Sequence, residues 1–194
     1  MQERRPWSDE DILRFLTSDF VNKNEFIATA IALYTGMRLD EICMLKHKHI
    51  SEDLFRIYEG KTKAARRVVP VHPVLKKIIV SNDSDNEEYI LKGLVSAGYD
   101  NKRSCNFQKR LGRTRKRLNL PKGVVFHSLR NTVITKLHNN LIPLYNIEQI
   151  IGHKQKSVAF GVYSSGLAVE KLRAIINGIS YGNTIDNLIL NYKI

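Results

Sequence analysis

The chain is poor in thiols. Its two cysteines, Cys43 and Cys105, stand far apart and fit no metal-ligand spacing. That argues against a disulfide framework or a cysteine metal centre, and both read as reduced structural residues, Cys43 being set among apolar neighbours. No signal peptide, lipidation motif or run of eighteen apolar residues occurs, so the expectation is a soluble protein of the cytoplasm. Internal repeats, low-complexity blocks, carboxylate clusters and phosphate-binding glycine loops are missing as well. Acidic residues are scarce relative to basic ones: 19 Asp and Glu face 31 Lys and Arg, a formal charge of +12. Such a balance favours a polyanionic partner, the plainer alternative being a merely basic protein.

What is present suits one globular domain: 194 residues, 43% of them apolar, are enough to bury a core. Ser8, followed by Asp9, Glu10 and Asp11, predicts a helix start feeding the stripe Ile12, Phe15 and Leu16. Glu25 to Tyr34 is apolar nearly all round, as in a central buried helix, and Gly36 supplies its stop. Arg38 follows at the junction with the next helix, above Leu39, Ile42 and Leu45, rigidly placed as a catalytic cation must be; a surface pair with Glu41 is the alternative. Leu54 to Tyr58 and Arg67 to Val71 alternate like strands, and the EGKTKAAR between them makes a hairpin whose tip carries Lys61, Lys63 and Arg66. Lysine on such a tip can protonate a leaving oxygen or simply touch phosphates. A short helix is predicted over Val74 to Val80, and the acidic stretch Ser81 to Glu88 reads as a surface loop. The fold class is therefore mainly α with a small antiparallel β-hairpin.

From Cys105 to Leu120 the chain predicts a strongly basic helix. The nine positions from Lys109 to Arg117 hold six cations: Lys109, Arg110, Arg113, Arg115, Lys116 and Arg117. A helix of this kind lies along a phosphate backbone, releasing condensed counterions, unless it is only a solvated face.

The last third carries the chemistry. His127 and Arg130, three apart, share a helix face and can reach one anion. His153 follows Gly152, where a helix running from Asn146 to Ile151 stops and leaves the imidazole at its rim. Arginine presents a planar fork of donors, and each histidine adds one. A phenol beside several cations loses its proton more easily and can attack phosphorus, which makes Tyr163 the candidate nucleophile. Each feature alone is common by chance; their order and spacing together carry the signal. Beyond Tyr163 another helix is predicted to end at Gly178, and the apolar tail Ile185 to Ile194 needs cover from its own core or a neighbouring subunit.

With Arg38, Lys61, His127-x-x-Arg130, Gly152-His153 and Tyr163 in this order, the chain resembles the catalytic domain of the tyrosine recombinases, the phage integrase family. TGMRLDEI, KTKAARRVVPVHP, HSLRNT and GHKQKSVAFGVY carry the resemblance, which spans residues 8–177. It implies that fold, with residues 1–7 as a flexible lead and 178–194 as a tail that docks between subunits. It also implies that Arg38 and Arg130 clamp a scissile phosphate while His127 and His153 donate to its oxygens. Glu41 would orient the site, Lys61 would be the general acid and Tyr163 would form a 3′-phosphotyrosyl link. Lys63 remains an alternative acid, although position relative to Pro70 favours Lys61. No cofactor and no metal are implied. Expected partners are double-stranded DNA, further copies in a tetramer and accessory DNA-bending proteins, placing the chain at the nucleoid. Most members carry an N-terminal domain that clamps the far side of the DNA; this chain opens where the catalytic domain begins, as a fragment of a longer integrase or a short stand-alone inverting type would. A tyrosine-class topoisomerase, which needs no paired sites, and a DNA-binding regulator, which needs no Tyr163, are the competing readings.

Overall fold

In the computed structural model, residues 4–58, 66–79, 88–153 and 167–192 are described. Helix α1 (Asp9–Leu16) begins where Ser8 Oγ accepts the Asp11 amide and the Asp11 carboxylate accepts the Ser8 amide. The same reciprocal cap, from Asn22 and Glu25, opens α2 (Lys23–Thr35). Every α2 residue from Glu25 to Thr35 is buried, which explains a sequence with no polar face. Gly36 ends it at φ 65, and a Cβ there would lie 3.2 Å from Ile151 and 3.5 Å from Val133. Left-handed backbone and close approach both demand glycine at this point.

After α3 (Leu39–Cys43) and a 3-10 turn at His47–His49 comes a three-stranded antiparallel sheet in the order β1 (Ile50–Ser51), β2 (Leu54–Ile57), β3 (Arg67–Pro70). Phe55 pairs with Val69 and Ile57 with Arg67, the predicted hairpin. Strand β1 is an addition to that hairpin. It joins β2 through Glu52 and Asp53, both at positive φ (54 and 56), a turn geometry usually announced by Asn-Gly. The helix predicted over Val74 to Val80 is split into a 3-10 turn, Pro73–Leu75, and α4 (Lys76–Ile79). His72, buried, caps that turn by accepting the Val74 amide at 3.2 Å.

The remaining helices are α5 (Ser104–Arg117), α6 (Ser128–Asn139), α7 (Leu144–Ile151), α8 (Val169–Asn177) and α9 (Asn183–Leu190). α6 packs on α2, α7 and α8 on β3, and α9 on α1 and α4. Just before α5, the Arg103 guanidinium donates to the carbonyls of Cys43, Leu94 and Leu91 at 3.0, 2.6 and 2.9 Å and lies 3.5 Å over the Tyr89 ring. It staples the connection from α3 to α5 and adds nothing to the basic face. The tail folds onto its own chain. Ile185 and Ile189 are buried, Tyr192 stacks on Phe26 at 3.7 Å, and Asp186 accepts from Tyr34 Oη, Ser180 Oγ and the Tyr181 amide at 2.5, 2.6 and 3.0 Å. Both cysteines are free thiols, and burial pushes Cys43 up to about 12, leaving it unreactive.

Candidate active site

The site is assembled where α2 ends, α6 begins and α7 ends. Arg38 is the N-cap residue of α3, held by its amide donating to Glu41 Oε2 at 2.9 Å and by Nη1 donating to Glu41 Oε1 at 2.8 Å. The ion pair with Glu41 is thus real, and it fixes the guanidinium at the helix junction. Glu41 is shared. Arg67 Nη1 and Nη2 donate to its two oxygens at 3.0 Å each, a bidentate pair in which each side chain is 6% exposed. Burial alone would raise the Glu41 carboxyl, but the hydrogen bonds and charge of Arg67, then of Arg38, outweigh it and hold it below the ordinary value.

Both arginines also reach the C-terminus of α7, where carbonyls lack helical partners. Arg67 Nε donates to Ile150 O at 2.7 Å and Arg38 Nη2 to Gly152 O at 3.4 Å. Gly152, at φ 70, turns the chain so that His153 follows at the rim, its amide donating to Glu148 O at 2.9 Å. His127 is the N-cap residue of α6, and Ser128 locks this corner by accepting the Val125 amide and donating to Gly123 O. One turn into α6, Arg130 is 3% exposed, and its Nη1 donates to Gly36 O at 2.8 Å. Its Nη2 is buried with no hydrogen-bond partner among the described residues.

The electrostatics are those of several positive groups crowded together and partly buried. Burial, then the charges of Arg38 and Arg67, pushes Arg130 down to about 9, against the opposing pull of Glu41. His127 and His153 are exposed on one side, yet packing behind the rings lowers both pKa values first, and nearby guanidiniums lower them further: Arg4, Arg130 and Arg38 for His127, Arg130, Arg38 and Arg67 for His153. At neutral pH each imidazole is uncharged and keeps one N–H to donate. An oxyanion placed among these groups would relieve their mutual repulsion and satisfy the free Arg130 donor.

The structure brings together Arg38, Glu41, His127, Arg130 and His153; Lys61, Lys63 and Tyr163 lie outside the described residues. Arg67 is a site residue that motif and spacing do not single out. Its signal is phase: it lies two residues from buried Val69, on the same face of the strand, so an arginine stands where the core face requires an apolar residue. The basic helix is less uniform than its sequence. Arg110 Nε lies 3.3 Å from Glu25, Arg115 donates to Leu120 and Pro121 carbonyls at 3.4 and 3.2 Å, and Arg117 sits 4.4 Å over the Phe20 ring. Lys109, Arg113 and Lys116 project into solvent, as does Arg66 beside β3.

A family model described as "Phage integrase family" matches residues 10–167. Transposase B from transposon Tn554 of Staphylococcus aureus (strain N315) is 27% identical over 162 residues, covering 75% of this chain and 26% of the transposase. A tyrosine recombinase of Thermosipho africanus (strain TCF52B) is 29% identical over 174 residues, covering 86% of this chain and 59% of that protein. The chain therefore spans a quarter to three fifths of these relatives' length. Among solved structures, the integrase from mycobacterium phage Brujita superposes with TM-score 0.67 at 17% identity, covering 97% of this chain and 64% of that one. The Tn1549 transposon integrase, in complex with circular intermediate DNA, gives TM-score 0.60 at 20% identity, covering 90% and 65%.

Proposed function

This chain belongs to the phage integrase family, and from that membership we propose that it is the catalytic domain of a site-specific DNA recombinase that cuts and rejoins strands through a tyrosine link. The observation that carries the reading is Arg130: a buried guanidinium with one donor left unpartnered, set among Arg38, His127 and His153. A buried cation so placed is stable only in the company of an anion, and its planar fork matches two phosphate oxygens. In the proposed reaction the phenol of Tyr163 loses its proton to water and its oxygen bonds to phosphorus. The P–O5′ bond breaks, and the departing O5′ takes a proton from the Lys61 ammonium, with Lys63 the alternative donor. Arg38, Arg130 and the two neutral imidazoles hold the non-bridging oxygens as charge builds on them. Glu41 acts through Arg38 and Arg67, keeping the clamp in place. Rejoining is the same path reversed, with the phosphotyrosyl bond conserving the energy of the broken one.

The polyanionic partner in this reading is double-stranded DNA, with Lys109, Arg113 and Lys116 of α5 and Arg66 beside the sheet on its backbone; the similar Tn1549 integrase is solved in complex with circular intermediate DNA. A tetramer on DNA, accessory DNA-bending proteins and a cytoplasmic site of action at the nucleoid complete the proposal.

The test is covalent trapping in chelator on nicked duplexes, resolved on a denaturing gel. Wild-type protein gives a shifted protein–DNA band that Tyr163→Phe does not, and Arg130→Ala binds duplex normally while forming no band. A band that persists in Tyr163→Phe removes the proposed nucleophile. Loss of duplex binding by a folded Arg130→Ala protein removes the transition-state role of that arginine. Intact binding with no band from wild type on any duplex overturns the enzymatic reading of this chain.

A further inference from the structure

Two adjacent arginines ahead of α1 are used differently. The chain there is fixed by Trp7, which is buried: its amide donates to Thr132 Oγ1 at 2.8 Å, its Nε1 donates to Val125 O at 2.9 Å, and its ring meets Phe15 edge-on at 5.4 Å. Thr132 stands in the second turn of α6 and Val125 two residues before His127, so the segment is laid against the corner that carries His127 and Arg130. Arg5 is spent on the fold, paired with Asp11 at 2.9 Å and donating to Pro6 O at 2.9 Å. Arg4 is exposed and makes no hydrogen bond or ion pair with any described residue. Three residues separate it from the Trp7 anchor, so its Cα lies within roughly 10 Å of that of Trp7.

Arg4 lines a hollow together with Arg38, Arg115, Gln108, Asp40 and His127. Arg38 is held by Glu41, and Arg115 by the carbonyls of Leu120 and Pro121. Asp40, the carboxylate of this lining, is already met by Ser104 Oγ and by Lys102 at 3.6 Å. Three guanidiniums around one hollow, with its carboxylate engaged, leave the hollow positive. Arg4 also bears on His127: after burial, its charge does most to lower the pKa of the imidazole, ahead of Arg130 and Arg38. An anion seated between them relieves that repulsion. It is a different anion from the one at Arg130, because that guanidinium is 3% exposed, faces Gly36 O and lies outside the lining of the hollow. Yet Arg38 and His127 belong to both places. Two anion positions that share a pair of flanking groups suit successive phosphates of one strand, and a single small anion cannot fill both. We propose that Arg4 holds the DNA phosphate next to the one at Arg130 on the same strand, which makes the segment ahead of α1 part of the DNA-binding surface. Such a contact positions the strand and reads no base. The inference rests on the reading of the anion cluster as a DNA phosphate site.

Arg4 supports no contact of the fold, so its removal tests the proposed contact alone. Duplex affinity of the full chain is measured by anisotropy over a salt series in chelator. Arg4→Ala weakens binding and lowers the slope of log affinity against log salt by about 0.9, the value for one phosphate. Arg5→Ala, which removes a charge already paired with Asp11, leaves the slope as in wild type. The His127 imidazole, followed by NMR and assigned with His127→Gln, titrates at higher pH in Arg4→Ala than in wild type, since a charge that lowers its pKa is gone. On a duplex that gives the covalent band, an uncharged methylphosphonate next to the cleaved position slows trapping by wild type and slows Arg4→Ala no further. An unchanged slope in Arg4→Ala, an equal loss in Arg5→Ala, an unmoved His127 titration, or additive effects of the methylphosphonate and Arg4→Ala overturns the proposal. If no duplex gives a band, the recombinase reading falls, while the slope and the His127 titration still decide whether Arg4 holds a phosphate beside His127.

Discussion

A carboxylate 6% exposed between two guanidiniums cannot be replaced without stranding a charge, and this makes Glu41 the most sensitive position among the site's supports. Glu41→Ala leaves Arg67 buried without a counter-charge and should lower unfolding stability by about 3–5 kcal/mol, measured by urea denaturation. The folded-state pKa of Glu41 lies below its ordinary 4.5. The unfolded chain therefore binds the proton first, and the stabilisation is complete above about 4.5 and is lost as pH falls through the folded value. Glu41→Gln should flatten the acid limb of the stability curve in that window; an unchanged limb would show that Glu41 is not its source. In the sequence the pairing of Glu41 with Arg38 was legible because the two are one helical turn apart. Arg67 was not, because its partner lies 26 residues away on another element.

At the scale of elements, local chemistry set most boundaries. The cap of α1, the left-handed stop at Gly36 and the stop at Gly152 involve neighbours only a few residues apart, so a reader of the chain finds them, whereas α2 begins two residues before the apolar stretch, at the Asn22 cap. Gly36 is more than a stop, since its carbonyl accepts from Arg130 and its bare Cα lets α6 and α7 close on α2. Gly36→Ala, strained at positive φ and crowded by Ile151, should cost about 1–2 kcal/mol in thermal or chemical unfolding and reduce trapping as the clamp shifts; an unaltered melt would count against this account. Strand β1 is illegible in the chain because two residues are too few to show alternation and Glu52-Asp53 is an unusual carrier of its turn. In α5 the cations differ in kind. Alanine at Lys109, Arg113 and Lys116 together should reduce the slope of log affinity against log salt by about 0.9 for each phosphate no longer neutralised, while alanine at Arg110 or Arg117, already engaged with Glu25 and Phe20, changes it less. Equal effects from the two groups would mean that these intramolecular pairings open on DNA.

For the whole molecule, the tail is the element whose place depended most on tertiary structure. Its apolar pattern called for cover, and α9 finds that cover on its own chain, with Asp186 as the polar anchor against Tyr34 and Ile185 and Ile189 in the core. Removing residues 183–194 should destabilise the isolated chain by roughly 3–6 kcal/mol from those two isoleucines alone. An unchanged melting temperature in calorimetry would show that the intramolecular seat contributes nothing.

The amino-acid order by itself announced the candidate site residues and several helix ends, because residue type, spacing and capping are properties of short stretches. Only the tertiary structure decided which cations are spent on the fold and which are left for a ligand. That division is made by partners remote in sequence, 85 residues apart for Arg110 and Glu25 and 94 for Arg130 and Gly36. Charge is written in the chain, but whether a charge is satisfied depends on what burial brings beside it.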